Sequence, residues 1–140
     1  PAVEIEPDLA RIFGCTLDRT PRRSSCMSHR TRGLVLLDID PMHGEATRFQ
    51  AMVLISQDYA PSPSRERESA DTVMALVDYF FPDWVERRRW MSLALQQARD
   101  RYANSTIKLG QTLLTVEFEM PQGYPESTFG LITIEQAVPR

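Results

Sequence analysis

The run Leu34-Val35-Leu36-Leu37-Asp38-Ile39-Asp40 closes an apolar stretch with two carboxylates one residue apart. On a strand, residues i and i+2 share a face, so the pair can hold a hard cation such as magnesium. His43 follows within reach, as a further ligand or a general base. The chemistry this would do is metal-assisted phosphoester hydrolysis. The competing reading is a turn: Pro41-Met42-His43-Gly44 has turn composition, and aspartates before a turn bond to its backbone. The turn is the preferred reading.

The segment ending in Asp38-x-Asp40 resembles the first motif of haloacid-dehalogenase-type phosphatases, in which the resemblance implies a nucleophile and an acid/base. It stops at Asp40. Pro41 and Met42 stand where that family has a glycine or small residue followed by threonine or valine. The later acidic motif and the alternating βα pattern are also missing, so membership is rejected.

Cys15 and Cys26 are the only cysteines. A bridge between them closes a short loop and is worth roughly 3 kcal/mol by the chain-entropy model. It would place the chain in an oxidising, extracytoplasmic (periplasmic) compartment; two free thiols would place it in the cytoplasm. The bridge is favoured. With His29 and His43 the cysteines also supply zinc ligand types, but only Cys26-x-x-His29 has the close spacing of a structural site. No metal or other cofactor is expected.

From Thr16 to Arg32 the chain turns basic, with Arg19, Arg22, Arg23, Arg30 and Arg32 against Asp18 alone. Arg22, Arg23, Arg30 and Arg32 are candidate anion contacts, for RNA or polyphosphate. The stretch has no aromatic residue for base stacking, and the whole chain carries a net charge of −3. It reads more simply as a solvated loop, and nucleic acid is a disfavoured partner. Lys108 is the only lysine, an arginine bias that a G+C-rich genome produces throughout.

The element expected to organise the chain is a helix pair over 69–102. Val73, Leu76, Val77 and Phe80 fall on one helical face, with Ser69 and Asp71 as caps. Pro82 ends that helix, and Asp83 with Glu86 forms a loose capping box for the next. On the second helix Trp84, Met91, Leu95, Ala98 and Tyr102 form a stripe broken by Arg88. Trp84 and Trp90, about 240° apart on such a helix, cannot both face one core. Trp90 is therefore the candidate partner surface.

Residues 1–6 read as an extended lead-in, and Pro7 to Phe13 as a short helix ending at Gly14. Residues 34–40 and 49–55 alternate as a hairpin, with a helix over 45–57 as the rival. The prolines and alternating charges of 60–68 suggest a mobile linker. Residues 107–109, 112–120 and 129–136 read as strands, the first two joined by a Gly110-Gln111 turn and the last preceded by a loop over 121–128.

At 140 residues and 42% hydrophobic content, the chain suits one domain with one core. The expected fold is a single α+β domain: a mainly antiparallel sheet of four or five strands, the helix pair on one face, and a short N-terminal helix. No run approaches the 18 or so apolar residues of a bilayer span. The expected function is a non-catalytic, bacterial-type accessory domain whose partner is another protein or a second copy. Hydrolysis through Asp38, Asp40 and His43 is the alternative, and anion binding across Arg19–Arg32 comes third.

Overall fold

Alternation of large apolar and polar residues builds a sheet of seven strands, all antiparallel to their neighbours, in a computed structural model that describes residues 1–57, 62–120 and 127–136. In chain order the elements are α1 (Ala2–Phe13), β1 (Asp18–Arg19), β2 (Arg23–Ser28), β3 (Gly33–Ile39) and β4 (Ala46–Gln57). They continue with α2 (Pro63–Phe80), α3 (Arg87–Arg101), β5 (Ser105–Leu109), β6 (Thr112–Glu119) and β7 (Ser127–Gln136). Across the sheet the strand order is β1-β2-β3-β4-β7-β6-β5. The last strand is thus inserted beside β4, and the β5–β6 hairpin forms the far edge.

One face carries the core. Val35, Leu37 and Ile39 of β3, Phe49, Ala51 and Val53 of β4, Leu114 and Val116 of β6, and Ile132 and Ile134 of β7 are buried there. They pack against Leu9 and Phe13 of α1, Val73, Leu76 and Val77 of α2, and Met91 and Ala94 of α3. Each large aliphatic or aromatic side chain buried this way contributes roughly 2 kcal/mol. Helices therefore cover one side of the sheet, as the α+β reading expects.

The sheet is wider than four or five strands because the basic stretch is not a loop. Ser24, Cys26 and Ser28 point inward from β2 and are buried, while Arg23 and Met27 point out. Serines and a cysteine in place of valines conceal the period-2 pattern from a reading based on hydrophobicity. Positions 1–6 are likewise not a lead-in. Ala2 is fully buried, Ile5 packs against the core, and the Ala2 N–H donates to the Gly44 carbonyl, so tertiary contact extends the helix upstream of Pro7. Gly14 ends α1 with φ 67, and a Cβ there would also lie 2.7 Å from Arg30 Nε.

Residues 63–68 are the first turns of α2, not a linker, with Pro63 in the opening turn; positions 60 and 61 lie outside the described residues. Ser69, expected as a cap, is buried inside that helix. α3 starts at Arg87, so Asp83 and Glu86 form no capping box and Trp84 precedes the helix. The rival helix over 45–57 is removed, because Ala46–Gln57 is strand. The Gly110-Gln111 turn joins β5 to β6 with Gly110 at φ 65. β7 begins at Ser127, two residues earlier than expected; 121–126 lie outside the described residues.

Two side-chain networks lock the helices together. Tyr79 of α2 donates to Asp8 of α1 at 2.8 Å, and burial followed by this bond pushes the phenol up to about 12. Asp78 accepts from Arg87 Nε at 2.7 Å and from Arg88, bridging α2 to α3. The Arg88 bond, reinforced by Arg87, holds the Asp78 carboxyl down at about 2.

Candidate functional site

Asp38 and Asp40 lie near the end of β3, on the side away from the core. Asp38 stands opposite Arg23 of β2 and Arg48 of β4. Its Oδ1 accepts from Arg23 Nε and its Oδ2 from Arg48 Nε, both at 2.9 Å. Arg48 in turn faces Glu135 of β7. A row of alternating charge, Arg23–Asp38–Arg48–Glu135, thus crosses four strands.

Asp40 does different work. Its Oδ1 accepts from the Met42 N–H at 3.0 Å, its Oδ2 lies 2.9 Å from His43 Nδ1, and its carbonyl accepts from the Gly44 N–H. The His43 contact, then the Met42 N–H, holds the Asp40 carboxyl below its ordinary value. The arrangement is a closed turn. No group of three or more His, Cys, Asp or Glu side chains able to hold a metal occurs among the described residues.

Cys15 and Cys26 form a disulfide, with Cα atoms 6.0 Å apart, that ties the segment after α1 to β2. As bonded sulfurs they cannot serve as thiolate ligands, which removes the zinc constellation with His29 and His43.

The arginines of the basic stretch separate by partner. Arg19 pairs with Glu6 and Arg23 with Asp38. Arg30 Nη1 donates to the carbonyls of Arg11 and Ile12 at 2.8 Å, satisfying the C-terminal end of α1. Arg22 is exposed on the β1–β2 turn. Arg32, with φ 63, borders a cavity of about 400 Å³. Arg65 of α2, Gln57 of β4 and Ser127 of β7 complete that border. None of these three was singled out from sequence, because they converge only when distant strands and a helix meet.

Trp90 is half-buried, and its ring lies 5.9 Å from that of Trp84. The 240° separation does not apply, because Trp84 is outside the helix. The two rings end a chain of aromatic contacts that runs from Phe13 through Phe49, Phe80 and Phe81. Trp90 is thus packed onto the core margin with part of its side chain left in solvent.

The face of the sheet opposite the helices carries a contiguous apolar patch. Met27 is 65% and Leu34 41% exposed, and the two are cross-strand neighbours. Half-buried Leu36, Met52 and Leu131 continue the patch, with Met52 opposite Leu131. Among the described residues, no helix is long and apolar enough to cross a membrane. In comparisons with known proteins, the chain matches no family model, no curated protein and no solved structure.

Proposed function

We propose that this domain is a non-catalytic accessory module that associates with a second copy of itself through the open face of its sheet. The observation that carries the reading is the self-complementary pattern on that face. A two-fold axis parallel to the strands, passing between β3 and β4, reverses the row Arg23–Asp38–Arg48–Glu135. Arg23 then meets Glu135 of the second copy, and Asp38 meets Arg48. The same operation lays Leu34 over Met52 and Met27 over Leu131, so apolar and charged rows match together. The disulfide favours work in an oxidising, extracytoplasmic compartment.

Sedimentation velocity tests the association. A dimer is expected at micromolar concentration, and Leu34→Glu should convert it to a folded monomer. A wild-type chain that stays monomeric at about 100 μM, where even weak specific interfaces form, removes the reading.

A further inference from the structure

The cavity bordered by Arg32 lies at the end of the sheet remote from the Asp40–His43 turn. Its described lining is Met27, Ser28, His29, Arg32, Leu54, Gln57, Arg65, Ser127 and Phe129. None of these is a carboxylate. Two guanidinium groups and an imidazole ring it, and neither Arg32 nor Arg65 has an ion-pair partner among the described residues. Glu66, next to Arg65, is engaged by the Gln57 N–H at 2.9 Å, while Asp58 and Glu126, which adjoin Gln57 and Ser127 in sequence, lie outside the described residues. Leu54 and Phe129 are almost fully buried and give the cavity an apolar floor, beside the buried hydroxyl-bearing Ser28 and Ser127.

Two further details mark it as a binding place. Gln57 brings an amide whose Oε1 is buried with no hydrogen-bond partner among the described residues. Arg32 itself sits in the left-handed backbone region, uncommon for a residue with a long side chain. That strain is held by Thr31, whose carbonyl accepts from the Leu54 N–H at 2.8 Å.

From this geometry we infer that the cavity binds a small phosphate monoester with a compact apolar body. The phosphoryl group meets Arg32, Arg65 and His29 at the rim, and the apolar body rests on Leu54 and Phe129. Guanidinium groups suit this head group because their planar forks donate paired hydrogen bonds to phosphate oxygens. The volume suits a ligand of this class. The cavity shares Met27 with the open face, but the inference rests on Arg32, Arg65, Leu54 and Phe129, which take no part in the self-complementary rows.

Calorimetric titration with phenyl phosphate, inorganic phosphate and phenol tests it on the disulfide-intact chain. Phenyl phosphate should bind saturably, and inorganic phosphate and phenol each at least about tenfold more weakly, because each lacks one half of the recognition. Arg32→Gln and Arg65→Gln should each weaken phenyl phosphate about tenfold, while Arg22→Gln, outside the cavity, leaves it unchanged. Melting temperatures of the three variants establish that each is folded. No saturable binding of phenyl phosphate overturns the inference. Equal binding of inorganic phosphate or phenol, or an equal loss with Arg22→Gln, overturns it as well.

Discussion

At one end of the β3–β4 pair, Asp38 and Asp40 are held by Arg23, Arg48 and His43; at the other, Arg32 and Arg65 border a cavity with no described carboxylate in its lining. Residue type alone offered a turn at the first end, with metal-assisted hydrolysis as the alternative, and a solvated loop at the second. Pairing reverses the emphasis. A carboxylate already bonded to two guanidinium groups has little free lone-pair capacity for a metal. A guanidinium without a counter-ion keeps its full capacity for an anion.

Substitutions can break or sharpen this contrast. The largest effect is expected at Gly33, where β3 begins. A Cβ there would lie 2.2 Å from the Met52 carbonyl oxygen, in the middle of the sheet. Gly33→Ala should cost about 3 kcal/mol, read by urea unfolding, and should disturb the cavity end before the turn end. Next comes the Cys15–Cys26 bridge. The double change to serine should cost about 2–3 kcal/mol in the same assay. Equal midpoints for the oxidised and reduced wild-type chain would show that the bridge contributes nothing.

At the acidic end, Asp38→Asn leaves Arg23 and Arg48 side by side and should cost about 1–2 kcal/mol. Magnesium or manganese should leave the wild-type melting temperature unchanged. An upward shift that Asp38→Asn with Asp40→Asn abolishes would break the comparison and restore the hydrolase reading. Acid offers a further check on engaged arginines. The folded Asp78 carboxyl titrates at about 2, below its ordinary 3.8, so its pairing stabilises the fold fully above about pH 4. That contribution fades as pH falls toward 2, and Asp78→Asn should flatten this part of the acid melting profile. The smallest effect belongs to the cavity. Arg32→Gln and Arg65→Gln should each change stability by less than about 0.5 kcal/mol, since neither is paired among the described residues. A loss above 1 kcal/mol from either would mean that arginine is structural.

Much of the fold was legible. The β3–β4 hairpin, the β5–β6 turn, the outward and inward faces of β3 and β6, and the helix pair all follow from period-2 or period-3.6 alternation in large apolar residues. β2 was hidden because its inward positions are Ser24, Cys26 and Ser28, and β1 is only two residues long. The opening turns of α2 were hidden because Arg65, Arg67 and Glu68 are solvent-facing and carry no apolar stripe. The candidate cavity was less legible than the fold. Arg32 and His29 were noticed, but their companions come from β4, α2 and β7.

The sequence by itself determined where the chain is strand or helix over its apolar stretches, because side-chain periodicity is a local property of the backbone. It also supplied the cysteine pair and the surplus of arginine. Only the tertiary structure decided which arginines are neutralised and which are left over. That outcome depends on which strands become neighbours, and an ion pair reaches only a few ångströms across the sheet while spanning many residues of chain.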